Sequence, residues 1–124
     1  MARILVVDDD PAMCMIIGGL LEHAGHVVTT CTDGALAIRS ILDQKPDLVL
    51  LDLCMPYIDG FEMLKALRGD PLTQELLVMV VSSRTDLESL GRVAALRANG
   101  FVFKPIRGEV LVESVQRVLA GRAA

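Results

Sequence analysis

The chain has 124 residues, a length that suits one domain, and its 52% of hydrophobic residues is enough for a real core and too much for a disordered chain. Aromatic residues make up only 3%, with no Trp and one Tyr, so the core must be built from Val, Leu, Ile, Ala and Met, and a stacking platform for nucleic-acid bases is unsupported. The net charge of -4 is uneven: residues 1–83 hold 5 basic and 12 acidic side chains, a balance of -7, whereas residues 84–124 hold 7 and 4, a balance of +3.

The basic residues of that last third are dispersed rather than clustered, which argues against direct nucleic-acid binding. They form either a solvated face or a mildly basic docking surface for an acidic partner. Cys14, Cys31 and Cys54 are odd in number and lack CxxC spacing, so neither a disulfide framework nor a zinc site is indicated, and a reducing compartment is the simpler reading. No basic segment followed by a long apolar stretch opens the chain, and the longest apolar run, residues 76–81, is too short to cross a bilayer. A soluble cytoplasmic protein is expected.

Residues 4–7 read as the first strand, running into Asp8, Asp9 and Asp10. Asp10 before Pro11 has the form of a helix N-cap followed by proline at the first helical position. Met13, Ile16, Ile17 and Leu20 give the first helix its spacing, although Gly18 and Gly19 cost about 1 kcal/mol each relative to Ala and have no evident reason. His23 and His26 flank the end of this helix and read as structural or exposed. A second strand over residues 27–31 is followed by a helical pattern at Ala37, Ile38, Ile41 and Leu42. The third strand, residues 48–51, runs straight into Asp52.

Asp59 and Glu62 resemble a capping box ahead of Phe61, Leu64 and Leu67. The fourth strand, residues 77–81, is closed by Ser82. Thr85 and Glu88 space a second capping box for a helix with Leu87, Leu90, Val93 and Ala94. Residues 100–103 form the fifth strand, with Lys104 at its end ahead of Pro105. Leu111, Val115, Val118 and Leu119 mark the fifth helix, and residues 121–124 fray. There is no internal repeat, low-complexity segment or linker, so residues 1–124 read as one domain.

Strands that alternate with helices and read as continuous apolar runs imply a parallel sheet covered on both faces, joined by right-handed crossovers. Five such units suit a doubly wound, flavodoxin-like three-layer α/β sandwich with strand order 2-1-3-4-5. In that topology ligands bind beyond the carboxyl ends of the strands, at the switch point between strands 1 and 3. Asp8, Asp9 and Asp52 then converge and demand a counter-cation. Mg²⁺ is the natural choice, because it prefers hard oxygen ligands and takes one or two carboxylates while keeping several waters. Lys104 and Ser82 bring an ammonium and a hydroxyl to the same rim.

The segments VVDDDP, PDLVLLDLCMPYIDGFEM, VVSS and GFVFKP stand in an order and spacing that resembles the receiver domain of two-component response regulators, in particular single-domain receivers like the chemotaxis regulators. The likeness covers essentially the whole chain. It implies a phosphorylation switch in which Asp52 is the phosphoacceptor and a sensor histidine kinase or phosphotransfer protein is the donor. Asp8, Asp9, Asp52 and the Cys54 backbone carbonyl would hold Mg²⁺, with Asp8 acting largely through a bound water, and Lys104 would pair with a phosphoryl oxygen. The Ser82 hydroxyl would be drawn to the phosphoryl group, and Phe101 would turn inward. The surface of the fourth helix, fifth strand and fifth helix would then change its affinity for a downstream protein. The only catalysis implied is of the protein's own phosphoryl transfer and dephosphorylation, with Cys54 and Arg84 flanking the approach of water. A homodimer through the last two helices is compatible with the pattern.

Three departures from the family pattern stand out. Ser83 replaces an Ala, Phe101 replaces a Tyr common at its position, and Arg97 replaces a glycine near the end of the fourth helix. A left-handed backbone at Arg97 would cost about 1 to 2 kcal/mol. Two rival readings use the same chain. Asp8 and Asp10 form a D-x-D after an apolar strand, as in haloacid-dehalogenase-like phosphatases, though Pro11 makes Asp10 more useful as a cap and the chain leaves no room for a cap domain. The other is a phosphorylation-independent interaction module, against which the complete acid, hydroxyl and lysine set counts.

Overall fold

The computed structural model describes residues 1–123 apart from 57 and 85, and only the backbone of 122 and 123. Five parallel strands form the central sheet: β1 (Arg3–Val7), β2 (Val27–Cys31), β3 (Leu48–Asp52), β6 (Leu77–Ser82) and β7 (Gly100–Phe103), in the order β2-β1-β3-β6-β7. A two-residue antiparallel pair, β4 (Cys54–Met55) and β5 (Ile58–Asp59), interrupts the numbering. The expected order 2-1-3-4-5 is therefore found, with β6 and β7 as the fourth and fifth strands of the sheet.

The helices are α1 (Pro11–His23), α2 (Ala37–Gln44), α3 (Gly60–Gly69), α4 (Leu87–Ala95) and α5 (Gly108–Ala123), with a short 3-10 turn at Gly34–Leu36 before α2. Alternate strand residues point to opposite faces. Leu5, Val7, Val49, Leu51, Val78 and Val80 pack with Ile41, Leu64, Leu67 and Val93 of α2, α3 and α4. Ile4, Val6, Leu48, Leu50, Met79, Val81 and Val102 pack with Ile17, Leu21, Leu111 and Val115 of α1 and α5. Every residue of β3 is buried, which is why its sequence is apolar without alternation.

Helix faces depart from the expected stripes. In α1 the buried residues are Cys14, Ile17, Gly18 and Leu21, while Ile16 is half exposed. In α4 only Ser89 and Val93 are buried, and Leu87 and Ala94 face solvent. Consecutive apolar residues in a short helix satisfy more than one stripe, and packing selects between them. The caps at Asp10 and Asp59 are present, each carboxylate accepting a backbone N–H, from Ala12 at 2.9 Å and from Phe61 at 2.8 Å. For α4 the cap is Asp86, which accepts the N–H and the hydroxyl of Ser89 at 3.0 and 2.8 Å. The expected cap, Thr85, lies outside the described residues.

Arg97 does adopt the left-handed backbone, at φ 61°. Its carbonyl accepts from Arg68 Nε and Nη2 at 3.2 and 2.9 Å. The same buried guanidinium donates to the carbonyls of Gln74 and Leu76 and to Asn99 Oδ1. One arginine thus ties the end of α3 to the starts of β6 and β7 and holds the strained turn in place. Gly18 and Gly19 remain unexplained: a Cβ at Gly18 would make only ordinary contact with Val28, and at Gly19 it would meet nothing within 4 Å among the described residues.

Candidate functional site

Parallel pairing sets the site. Val7 lies beside Leu51, Asp52 beside Val81, and Ser82 beside Phe103, so the carboxyl ends of β1, β3, β6 and β7 finish at one level. The residues that leave those ends are Asp8 and Asp9, Asp52, Ser82, and Lys104. Carboxylate oxygens of Asp8, Asp9 and Asp52 lie within 4.8 Å of one another, with Asp8 and Asp52 buried and Asp9 exposed. That set presents hard anionic oxygens with one open side, a donor chemistry that fits an octahedral divalent cation retaining waters.

Lys104 supplies a positive charge to the cluster. Its Nζ donates to Asp8 Oδ2 at 3.0 Å and to Asp52 Oδ2 at 3.4 Å. Burial opposes the charge on Lys104, but the hydrogen bond to Asp8 and the neighbouring negative charges outweigh it and raise its pKa. Asp52 is also held above the usual carboxylate range, because burial penalises its charge and Asp8 repels it. The Cys54 N–H, 3.1 Å from Asp52 Oδ1, and the Lys104 ammonium act in the opposite direction. The buried Asp52 carboxylate is therefore poised between a like charge and an ammonium.

Asp8 Oδ1 accepts the Asp10 N–H at 3.0 Å, which fixes the turn out of β1. Asp10 itself is exposed and occupied in capping, so it is not the second acid of a D-x-D pair. Ser82 is fully buried, and its Oγ accepts the Arg84 N–H at 3.1 Å. Phe101 is half buried against the α4 side of the core, 4.8 Å ring to ring from Phe103. Cys54 is exposed on the short β4 strand, and all three cysteines are free.

Two residues of the neighbourhood escape a reading of the sequence. Gly60 packs so tightly behind the site that a Cβ would lie 2.6 Å from Leu53 Cα and 2.9 Å from the Asp52 carbonyl oxygen. Phe61, next in the chain, is buried beneath the guanidinium groups of Arg92 and Arg84, at 3.9 and 5.7 Å from its centroid. A glycine just after a capping Asp, where any helix former would serve, is the signal for the first. Phe61 itself lies on the expected apolar stripe of α3, but nothing in the spacing points to its two cationic partners.

The fold and the acid rim define a class of signalling domain, and comparison with known proteins agrees. The family model for the response regulator receiver domain matches residues 4–116. The chain belongs to that family. It is 33% identical over 123 residues to Protein PilH of Pseudomonas aeruginosa, covering 98% of this chain and 100% of that protein. It is 38% identical to the transcriptional regulatory protein PrrA of Mycobacterium tuberculosis over 95% of this chain but only 48% of that one, so it spans about half the length of that relative. Among solved structures, chemotaxis protein CheY4 of Vibrio cholerae superposes with a TM-score of 0.89 at 30% identity, covering 95% of this chain and 98% of that one. The flavodoxin-like expectation and the receiver resemblance are both borne out, and nothing supports the phosphatase reading. Among the described residues, no helix is long and apolar enough to cross a membrane.

Proposed function

We propose that residues 1–124 act as one cytoplasmic receiver in which Asp52 accepts a phosphoryl group from a histidine kinase or a phosphotransfer protein. The observation that carries this reading is the meeting of Asp8, Asp9 and Asp52 at adjoining strand ends, with Lys104 bonded to two of them. An Asp52 carboxylate oxygen attacks phosphorus, the bond from phosphorus to the donor imidazole nitrogen breaks, and that nitrogen leaves with the electron pair. Asp8, Asp9, Asp52 and the Cys54 carbonyl would hold Mg²⁺, which when bound neutralises charge on the transferring group and orients it.

Lys104 moves its ammonium from the carboxylates to a phosphoryl oxygen. Phosphorylation gives Asp52 a group of about -1.5 to -2 charges with three strong acceptor oxygens. Ser82 then turns its hydroxyl from the Arg84 amide to donate to that group. The connection to α4 follows, Phe101 turns inward, and the mildly basic face of α4, β7 and α5 presents a changed surface to a downstream protein or a second copy of the chain.

The test is incubation with acetyl phosphate and Mg²⁺, comparing wild type with Asp52→Asn by intact mass. A single phosphoryl adduct on wild type and none on the variant is expected. Equal labelling of both, or none of the wild type under conditions that label a control receiver, refutes the reading.

A further inference from the structure

α4 is thinly anchored. It buries only Ser89 and Val93, and its first residue, Leu87, is 86% exposed. What else fixes it is the ring of Phe61, buried to 3% exposure in the first turn of α3. Arg92 of α4 stacks on that ring at 3.9 Å, and Arg84, in the connection between Ser82 and α4, lies 5.7 Å from the same centroid. Asp86 also pairs with Arg84, Nε to Oδ1 3.5 Å. Phe61 therefore touches both the connection that leads from Ser82 into α4 and the last turn of that helix. It is also tied to the acids, because Gly60 packs directly on Leu53 and the Asp52 carbonyl.

We propose that this cation–ring stack is a latch: Phe61 and Arg92 hold α4 in its resting position, and Arg84 links the latch to the state of Asp52. The proposal rests on the phosphoacceptor reading for its trigger. New negative charge at Asp52 attracts the Arg84 guanidinium while Ser82 releases the Arg84 amide, so one of the two cations leaves the ring and the connection is freed. Arg92 then alone restrains the helix. A stacked cation biases a two-state equilibrium by about 3- to 10-fold, enough to set how readily a helix with two buried side chains moves.

The experiment is a double-substitution cycle read by amide hydrogen exchange without any phosphodonor, on wild type, Phe61→Leu, Arg92→Gln and the pair, with Phe61→Tyr as the conservative control. Leu keeps the position apolar but is smaller and removes the ring face, so the lack of additivity in the pair, not the single effect, isolates the stack. Exchange across residues 87–95 is expected to rise about 3- to 10-fold in each single variant and no further in the pair. Phe61→Tyr is expected to stay at the wild-type rate, and β1 and β3 amides to be unchanged. The initial rate of labelling by acetyl phosphate with Mg²⁺ is expected to rise by a similar factor in Phe61→Leu and Arg92→Gln. Unchanged exchange in α4, additive effects in the pair, a rise spread evenly over the chain, or labelling of the variants no faster than wild type would each overturn the latch. A wild type that is never labelled refutes the phosphoacceptor reading instead, and the exchange cycle still decides the latch.

Discussion

Lys104 Nζ and Asp8 Oδ2 stand 3.0 Å apart across 96 residues of sequence, and the same nitrogen reaches Asp52 at 3.4 Å. Asp8 is 2% exposed, so its charge depends on that ammonium for compensation. Lys104→Gln leaves two buried carboxylates facing each other. Removing one partner of a buried pair is strongly destabilising, and with Lys104 itself partly solvated about 2 kcal/mol is expected. Urea unfolding in EDTA checks the loss. Repeating it with excess Mg²⁺ should recover part of the stability, because a second cation then serves the same carboxylates.

The raised pKa of Asp52 sets a pH dependence. Without metal, the Asp52 carboxyl takes up its proton at a higher pH than an ordinary aspartate does. Lys104 is one of the influences that lower this pKa. Lys104→Gln therefore moves the titration to still higher pH, and added Mg²⁺, a positive charge beside the carboxylate, moves it down. The carboxyl carbon chemical shift of Asp52, followed across about pH 3 to 8 in EDTA in both proteins and then with Mg²⁺, shows whether the titration moves in those directions.

Gly60→Ala forces a methyl group to within 2.6 Å of Leu53 Cα. Backbone has to shift on one side or the other. A loss of about 1 to 3 kcal/mol is expected, together with slower labelling, since the displaced segment carries Asp52. Chemical denaturation and intact mass measure the two effects separately.

Arg68 and Arg97 give paired predictions of opposite sign. Arg68→Met removes donors from three carbonyls and from Asn99 Oδ1, and a loss of about 2 to 4 kcal/mol is expected in denaturant unfolding. Burial first and the Arg97 charge second lower the pKa of Arg68, so Arg97→Gly removes a repelling cation and relieves the left-handed strain at φ 61°, at the cost of a more flexible unfolded chain. A net gain of about 0.5 to 1 kcal/mol is expected.

His26 Nδ1 accepts the Ala2 N–H at 3.1 Å, and its Nε2 is buried with no hydrogen-bond partner among the described residues. Burial, then the charge of the chain N-terminus, lowers its pKa below 6.5. The unfolded chain thus binds the proton more readily than the folded one, and stability from this group is present at neutral pH and lost as pH falls through the unfolded value near 6.5. His26→Gln should flatten the dependence of stability on pH between about 7 and 5. Thermal melts across that interval give the slope.

The strands are legible because burial on both faces leaves continuous apolar runs, and those runs alone put Asp8, Asp9, Asp52, Ser82 and Lys104 at strand ends. The helix faces were less so, since α1 and α4 each offer more apolar positions than one stripe can bury. Arg68 was missed because arginine is ordinarily exposed. Its signal was positional: it falls four residues after Leu64, on the buried stripe of α3. The Phe61 stack could not be read at all, because it joins side chains from three segments whose approach is decided only by the packing of α3 and α4.

The sheet also separates what the site can vary from what it cannot. Asp8, Asp52 and Ser82 issue from β1, β3 and β6, the three inner strands, each hydrogen-bonded on both sides. Phe101 and Lys104 come from the edge strand β7, and α4 rests on a ring and two small buried side chains. Substitutions on α4 and the outer face of β7 can therefore accumulate without disturbing the acid geometry. A chain built this way can be re-addressed to a new partner while the acids of the inner strands keep their places.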